Sequence, residues 1–232
     1  MKNRKELKFI CDERMLIQIE NRIKTVMHKD PHQIGPNYNI RSVYFDSLDN
    51  RCFYENQAGV GTRHKYRIRI YDCSDALIKA EIKSKYYDTT HKESVTISRA
   101  QFDALMRGDA GEAVMLGRNP EGEVSPVLLR YCDKIAESYR PVSIVEYERS
   151  AYIYEPCNVR VTFDRNISSS DDFDNFFSTC SQAKPVCETG QHVLEVKYDE
   201  FLPNYILSLL KVGDMRRTSF SKYYESRLTL MM

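Results

Sequence analysis

The stretch HKYRIRIYD, residues 64 to 72, alternates with a period of two. Lys65, Arg67 and Arg69 fall on one side, and Tyr66, Ile68 and Ile70 on the other. Successive side chains of a strand project to opposite faces, so this segment reads as a strand with one cationic and one apolar face. Any fold that holds it must give the cationic face to water or set it against something strongly negative.

The same design recurs in four more segments. KELKF sets Glu6 and Lys8 against Leu7 and Phe9, and KAEIKSK sets Lys79, Glu81, Lys83 and Lys85 against Ala80 and Ile82. VRVTFD opposes Arg160, Thr162 and Asp164 to Val159, Val161 and Phe163, while VLEVKY opposes Glu195 and Lys197 to Leu194 and Val196. One such strand is ordinary, because antiparallel sheets commonly face water on one side. Five of them in a chain with amphipathic helices are another matter, since the helices need apolar surface and only the apolar strand faces offer it. If the sheet also closes on itself, its charged faces point into a lumen. A cationic excess there is costly unless compensated. Glu6, Glu81, Asp164 and Glu195 offset part of it. A polyanion with a bound divalent metal would offset the rest, with carboxylates ligating Mg²⁺ or Mn²⁺ and Arg and Lys gripping phosphate oxygens.

The remaining pattern predicts strands over 5–10, 39–47, 61–72, 76–88, 91–98, 143–154, 159–167 and 191–199. Helices are expected over 13–28, capped by Asp12, and over 99–107, with a Ser98/Gln101 capping box and Gly108 as the stop. Further helices are expected over 125–139 with Pro126 in the first turn, over 203–213, and at the C-terminal SKYYESRLTLMM. Residues 48–59 read as a turn and a short helical piece, 109–124 as a loop, and 168–185 as polar and irregular. The sum is an α+β fold: an eight-stranded antiparallel β-tunnel, closed as a barrel, with helices packed outside, in a single domain spanning residues 1–232.

Composition narrows the function. With 34 basic and 33 acidic side chains the formal net charge is +1, so an anion site must come from local arrangement, and nucleic acid is not an expected partner. No apolar run reaches the roughly 20 residues of a membrane helix, and the basic N-terminus is followed at once by charged residues rather than a signal-peptide core. Seven scattered cysteines without a C-x-x-C pair suit reduced thiols in the cytoplasm. His28 and His32 flank Pro31 and read as loop histidines. His64 reads as a partly exposed histidine at a strand end. No P-loop or dinucleotide-binding glycine motif is present.

The segments ELKF, SVYFDS, KYRIRIY, IKAEIKSK, YERSAY, VRVTFDRNI, VLEVKY and SFSKYYESR, taken in order over residues 5 to 227, resemble the vacuolar transporter chaperone (VTC) domain. That family is a branch of the CYTH superfamily of triphosphate tunnel metalloenzymes. The resemblance implies a helix-wrapped antiparallel tunnel and, as in its eukaryotic members, synthesis of inorganic polyphosphate from ATP. It implies that Arg67, Arg69, Arg160 and Lys222 act on the transferred phosphoryl group. Lys8, Lys65, Lys83, Lys85, Arg149, Lys197 and Ser221 would bind phosphates, and Glu195, with Glu81 and Glu6, would hold Mn²⁺ or Mg²⁺. The parity of Arg149 groups it with Val145 and Tyr147 without saying which way they point. A triphosphatase of the same fold and a non-catalytic polyphosphate-binding module remain as alternatives. Lacking membrane segments, the chain is not expected to couple synthesis to transport.

Overall fold

The computed structural model describes residues 4–87, 89–180, 182–213 and 215–232. In chain order its elements are β1 (Lys5–Asp12), α1 (Glu13–Ile23), β2 (His28–Lys29), β3 (Tyr38–Asp46), α2 (Arg51–Gln57), β4 (Thr62–Tyr71), β5 (Ser74–Tyr86), β6 (Thr89–Ile97) and α3 (Arg99–Arg107). There follow α4 (Ala110–Leu116), α5 (Pro126–Ala136), β7 (Arg140–Tyr154), β8 (Val159–Ser170), β9 (Lys184–Pro185), β10 (Gln191–Tyr198), α6 (Asn204–Leu210) and α7 (Lys222–Met231). The strands hydrogen-bond in the order β1-β10-β8-β7-β3-β4-β5-β6, with β2 beside β7 and β9 beside β8. The fold is therefore α+β on a large antiparallel sheet, as the alternation implied.

The expected closure into a barrel is not made by hydrogen bonds. The order ends at β1 and β6, which do not pair with each other among the described residues. The free edge of β1 is instead engaged by residues 217–218: Phe9 forms an antiparallel bridge with Arg217, and Thr218 N donates to Lys8 O at 2.9 Å.

The chain forms two compact units. The first comprises Met1–Asn39, Glu146–Ser168 and Pro185–Lys222; the second comprises Ile40–Val145, Ser169–Lys184 and Tyr223–Met232. In the first unit, α1 buries Leu16, Ile19 and Ile23, spaced on one helical face, against Val159, Val161, Phe163, Leu194 and Val196. Ile206 and Leu210 of α6 complete this core. Asp12 caps α1 by accepting from Met15 N at 2.7 Å. The helix ends at Ile23, short of the expected residue 28, because His28 and Lys29 pair with Ile153 and Tyr152.

In the second unit the apolar faces of β3, β4 and β5 supply Val43, Phe45, Ile68, Ile70, Ile78 and Ile82. Phe102 and Leu105 of α3 and Tyr131 and Ile135 of α5 are buried as well. Tyr131 meets Phe45 edge-on at 5.5 Å. The Ser98/Gln101 capping box forms, with Ser98 N donating to Gln101 Oε1 at 2.8 Å and Gln101 N to Ser98 Oγ at 3.2 Å. Residues 109–124 are not wholly a loop. Asp109 caps α4 through Glu112 N at 2.8 Å. Gly117 follows the helix where a Cβ would lie 2.5 Å from Leu128 Cδ2. The strands β2 and β9, two residues each, were not expected, being too short to show a period. Segment 171–180 is irregular as expected. Buried Arg41 ties it down, donating to the carbonyls of Phe176 at 2.8 Å and Ser178 at 2.6 Å.

Ile19 is fully buried in the first core. Ile19→Ala is expected to cost about 2–4 kcal/mol in urea unfolding, and a loss below about 1 kcal/mol would mean that this face of α1 is not packed as described.

Candidate functional site

Polar strand faces gather charge in each unit. In the first, register sets Glu195 between Lys8 and Thr162, and Lys197 between Glu6 and Arg160. The focus is Asp164 on β8, fully buried. Its carboxylate accepts from Arg149 Nε at 2.6 Å and Nη2 at 2.7 Å, and meets Lys222 Nζ at 2.6 Å. Arg149 therefore points to the polar face, which the sequence left undecided. Its Nη2 also lies 3.6 Å from Glu195 Oε2. The Tyr147 ring faces both cations, 5.1 Å from the Arg149 guanidinium and 4.8 Å from Lys222 Nζ.

Burial alone would raise the Asp164 carboxyl, but Arg149 and Lys222 outweigh it and hold it below the usual range. Burial would likewise depress the Lys222 ammonium, yet Asp164, Tyr147 and Glu195 keep it raised. Glu195 is pushed up by burial and pulled further down by Lys197, Glu6, Lys8 and Lys222, so it lies well below the usual range. Lys197 Nζ reaches Glu195 at 3.0 Å. Lys8 Nζ donates to Phe220 O at 3.0 Å and lies 3.4 Å from Glu6 and 3.7 Å from Glu195. Arg160 is paired to Asp30 at 2.8 Å and lies 3.5 Å from the Tyr38 hydroxyl. Ser221 immediately precedes α7, which starts at Lys222.

The second unit carries a ladder of cations. Register places Lys65 opposite Lys83 and Lys83 opposite Lys92, three ammonium groups in one rung. Arg63 faces Lys85 and Arg69 faces Lys79. The rung between them is neutralised: Arg67, opposite Glu81, binds it through Nη2 at 2.6 Å and Nε at 2.7 Å. Lys92 adds 2.8 Å and Arg69 3.9 Å to the same carboxylate. Burial would raise the Glu81 carboxyl, but Arg67, Arg69 and Lys92 hold it far below the usual range. Arg67 also donates to the Tyr44 hydroxyl at 3.2 Å, Arg69 to Ser42 Oγ at 3.1 Å, and Lys65 Nζ sits 5.7 Å from the Tyr223 ring. On β4, β5 and β6 this face holds eight cations, Arg63, Lys65, Arg67, Arg69, Lys79, Lys83, Lys85 and Lys92, with Glu81 among them and Asp75 at the exposed start of β5.

Of the anticipated residues, Glu6, Lys8, Arg149, Arg160, Glu195, Lys197, Ser221 and Lys222 thus belong to the first unit, and Lys65, Arg67, Arg69, Glu81, Lys83 and Lys85 to the second. Sequence reading missed Lys92 and Arg63, which share the parity of their neighbours and could have been found from it. It also missed Asp30, Tyr38 and Tyr44. Asp30 lies in the break DPHQIGPN, where no period operates.

Divalent metal suits one part of this arrangement. Glu6 and Glu195 gather about a cation already, the Lys8 ammonium. One or two carboxylates completed by substrate phosphates is the usual protein share of a Mg²⁺ site. Among the described residues no three His, Cys, Asp or Glu side chains form a fuller cage. Glu81 does not fit, because Arg67 and Lys92 hold its two oxygens at 2.6 and 2.8 Å, whereas Glu195 Oε1 meets Lys8 only at 3.7 Å.

Fold and faces together define an α+β domain on an antiparallel sheet whose polar strand faces concentrate charged side chains. The chain belongs to the VTC domain family, whose model matches residues 3–231. No curated protein matches it in sequence. Among solved structures it is similar to a protein from Pyrococcus horikoshii OT3 (14% identity, 98% of each chain, TM-score 0.49). It is also similar to a candidate adenylate cyclase from Bacillus halodurans (12% identity, 89% of this chain and 87% of that one, TM-score 0.47). A further candidate adenylate cyclase, from Vibrio parahaemolyticus, shares 11% identity over 99% of this chain and 87% of that one, with a TM-score of 0.47. No helix among the described residues is long and apolar enough to cross a membrane.

Two outcomes follow. Asp164→Asn strands two buried cations and is expected to cost about 3–5 kcal/mol in urea unfolding; added tripolyphosphate should raise its melting temperature more than that of the parent. The depressed Glu81 carboxyl contributes stability that is complete above the ordinary glutamate range and is lost as pH falls below about 4.5. Glu81→Gln should therefore show a shallower decline of the urea midpoint with acid, and an unchanged slope would contradict the ion pairs described.

Proposed function

We propose that this chain is a metal-dependent polyphosphate polymerase that transfers the γ-phosphate of ATP to a growing inorganic polyphosphate chain. The observation that carries the reading is the ladder on β4, β5 and β6. Like charges directly opposite one another destabilise a sheet, and this face sets Lys against Lys and Arg against Lys in successive rungs. From Arg63 to Arg69 the ladder runs about 20 Å at ~3.3 Å per residue, longer than one triphosphate group and suited to an extended polyanion. Membership of the VTC domain family supports the same substrate class. The reading takes the whole chain as one domain. The seven cysteines are not joined in disulfides, which supports a cytoplasmic setting.

In this mechanism a terminal phosphate oxygen of the growing chain attacks the γ-phosphorus of ATP. The bond from that phosphorus to the β–γ bridging oxygen breaks, and ADP leaves. The attacking oxygen is already an anion, so no base is required, and catalysis rests on alignment and charge neutralisation. Arg67, Arg69, Arg160 and Lys222 stabilise the transferring phosphoryl group. Lys8, Lys65, Lys83, Lys85, Arg149, Lys197 and Ser221 hold substrate phosphates. Asp164 keeps Arg149 and Lys222 fixed, which lowers the reorganisation needed at reaction. Glu6 and Glu195 would hold Mn²⁺ or Mg²⁺, which when bound withdraws charge from phosphate oxygens.

The test is purified protein with ATP and Mn²⁺, resolved on a gel for polyphosphate and assayed for ADP. A ladder of long chains is expected, with turnover reduced by about a hundredfold or more in Arg67→Ala and Lys222→Ala. Glu195→Gln should lose turnover while still binding tripolyphosphate. Orthophosphate release from tripolyphosphate without long chains would replace this reading with a triphosphatase. Binding without turnover of either substrate would replace it with a polyphosphate-binding module.

A further inference from the structure

The reverse side of the ladder strands holds a pocket that the polymerase reading does not use. It lies within the second unit, between α5 and the apolar faces of β4, β5 and β6, with a volume of about 270 Å³. Tyr66 and Ile82, both nearly inaccessible, form its floor. His64 and Tyr86 wall it with ring centroids 6.0 Å apart and planes at 82°, so the two rings make a corner. His64 is held there by Nδ1 at 2.8 Å from Ser84 Oγ. It also lies 6.4 Å from Tyr66, so three rings surround one cavity. Tyr86 is about half exposed at 48% and gives the cavity an open mouth.

The rim is acidic. Glu93, Asp133 and Glu137 supply three carboxylates against two cations, Arg130 and Lys134. The cations are committed: Arg130 binds Glu93, and Lys134 Nζ binds Glu137 at 2.6 Å. Asp133, exposed on α5, has no cationic partner among the described residues. Aromatic walls with a carboxylate left over are what an organic ammonium ion requires: ring faces attract the cation, apolar edges take its methylenes, and the carboxylate balances its charge. An anion would meet the wrong sign, and a neutral ligand would leave Asp133 unused. The volume is below that of drug-sized sites and suits a ligand of few heavy atoms.

We propose that this pocket binds a small organic ammonium ion, recognised by His64, Tyr66, Tyr86 and Asp133. The site lies on the opposite strand faces from the cationic ladder and does not rest on the polymerase reading.

The test is titration of the intact protein with choline and with its uncharged isostere 3,3-dimethyl-1-butanol, by calorimetry and by amide chemical shifts. Choline should bind saturably, with the shifts centred on β4, β5 and α5, and about tenfold more tightly than the isostere. Asp133→Asn and Tyr86→Ala, both at accessible positions, should each weaken choline by about tenfold while circular dichroism stays unchanged. Lys83→Ala, on the opposite strand face, should leave choline binding intact. Equal binding of choline and the isostere, absence of saturation, or affinity unmoved by both pocket variants would overturn the proposal.

Discussion

The first unit turns on one buried carboxylate. Asp164 has no access to water, and two cations from different parts of the chain, Arg149 on β7 and Lys222 at the start of α7, converge on it. Burying any of the three alone would be strongly unfavourable, and removing one strands the others. The geometry is correspondingly specific: two parallel N–H donors from the guanidinium fork leave a carboxylate lone pair for the ammonium. Tyr147 lies close to both cations. Side chains fixed in this way present positive charge without having to reorganise around an arriving anion.

The second unit solves the problem of charge differently. The paired rungs of β4, β5 and β6 carry eight cations, and Glu81 neutralises the rung around Arg67. The lysines of the outer rungs are half-buried or exposed, so water screens their mutual repulsion. One unit offers near-balanced, fixed charge, and the other a long positive track. A chain of net charge +1 can thus hold a strongly cationic surface, its acids lying elsewhere.

The strand faces were legible because a period of two survives any tertiary context: Lys65, Arg67 and Arg69 share a face whichever way the sheet turns. Parity does not say which face is which, so Arg149 stayed undecided until Asp164 was seen to receive it. The capping box at Ser98 was legible for the same local reason. The extent of α1 was not, because pairing of His28 with Ile153, distant in sequence, stops it. Nor was α4, seven residues with a single buried side chain, Ala113. Closure was inferred from the wish to remove edges, and a bridge from Arg217 to Phe9 meets part of that need at β1 in another way. Asp30, which neutralises Arg160, sits in a turn, where spacing carries no information.

The state of Glu81 bears on the choice between attack by phosphate oxygen and attack by water. A hydrolase in this fold needs a carboxylate able to take a proton from water. Glu81 is a poor one: Arg67, Arg69 and Lys92 stabilise its anion so strongly that protonation is disfavoured throughout the ordinary range. Its Oε2 accepts two donors from Arg67 and its Oε1 one from Lys92 at 2.6 to 2.8 Å, so a water would compete with three protein donors for it. The same carboxylate is well suited to another task, holding the Arg67 guanidinium, whose Nη1 donates to the Tyr44 hydroxyl. Charge that pins an arginine cannot also act as a base, and a nucleophile that is already an anion asks for the first of these roles and not the second.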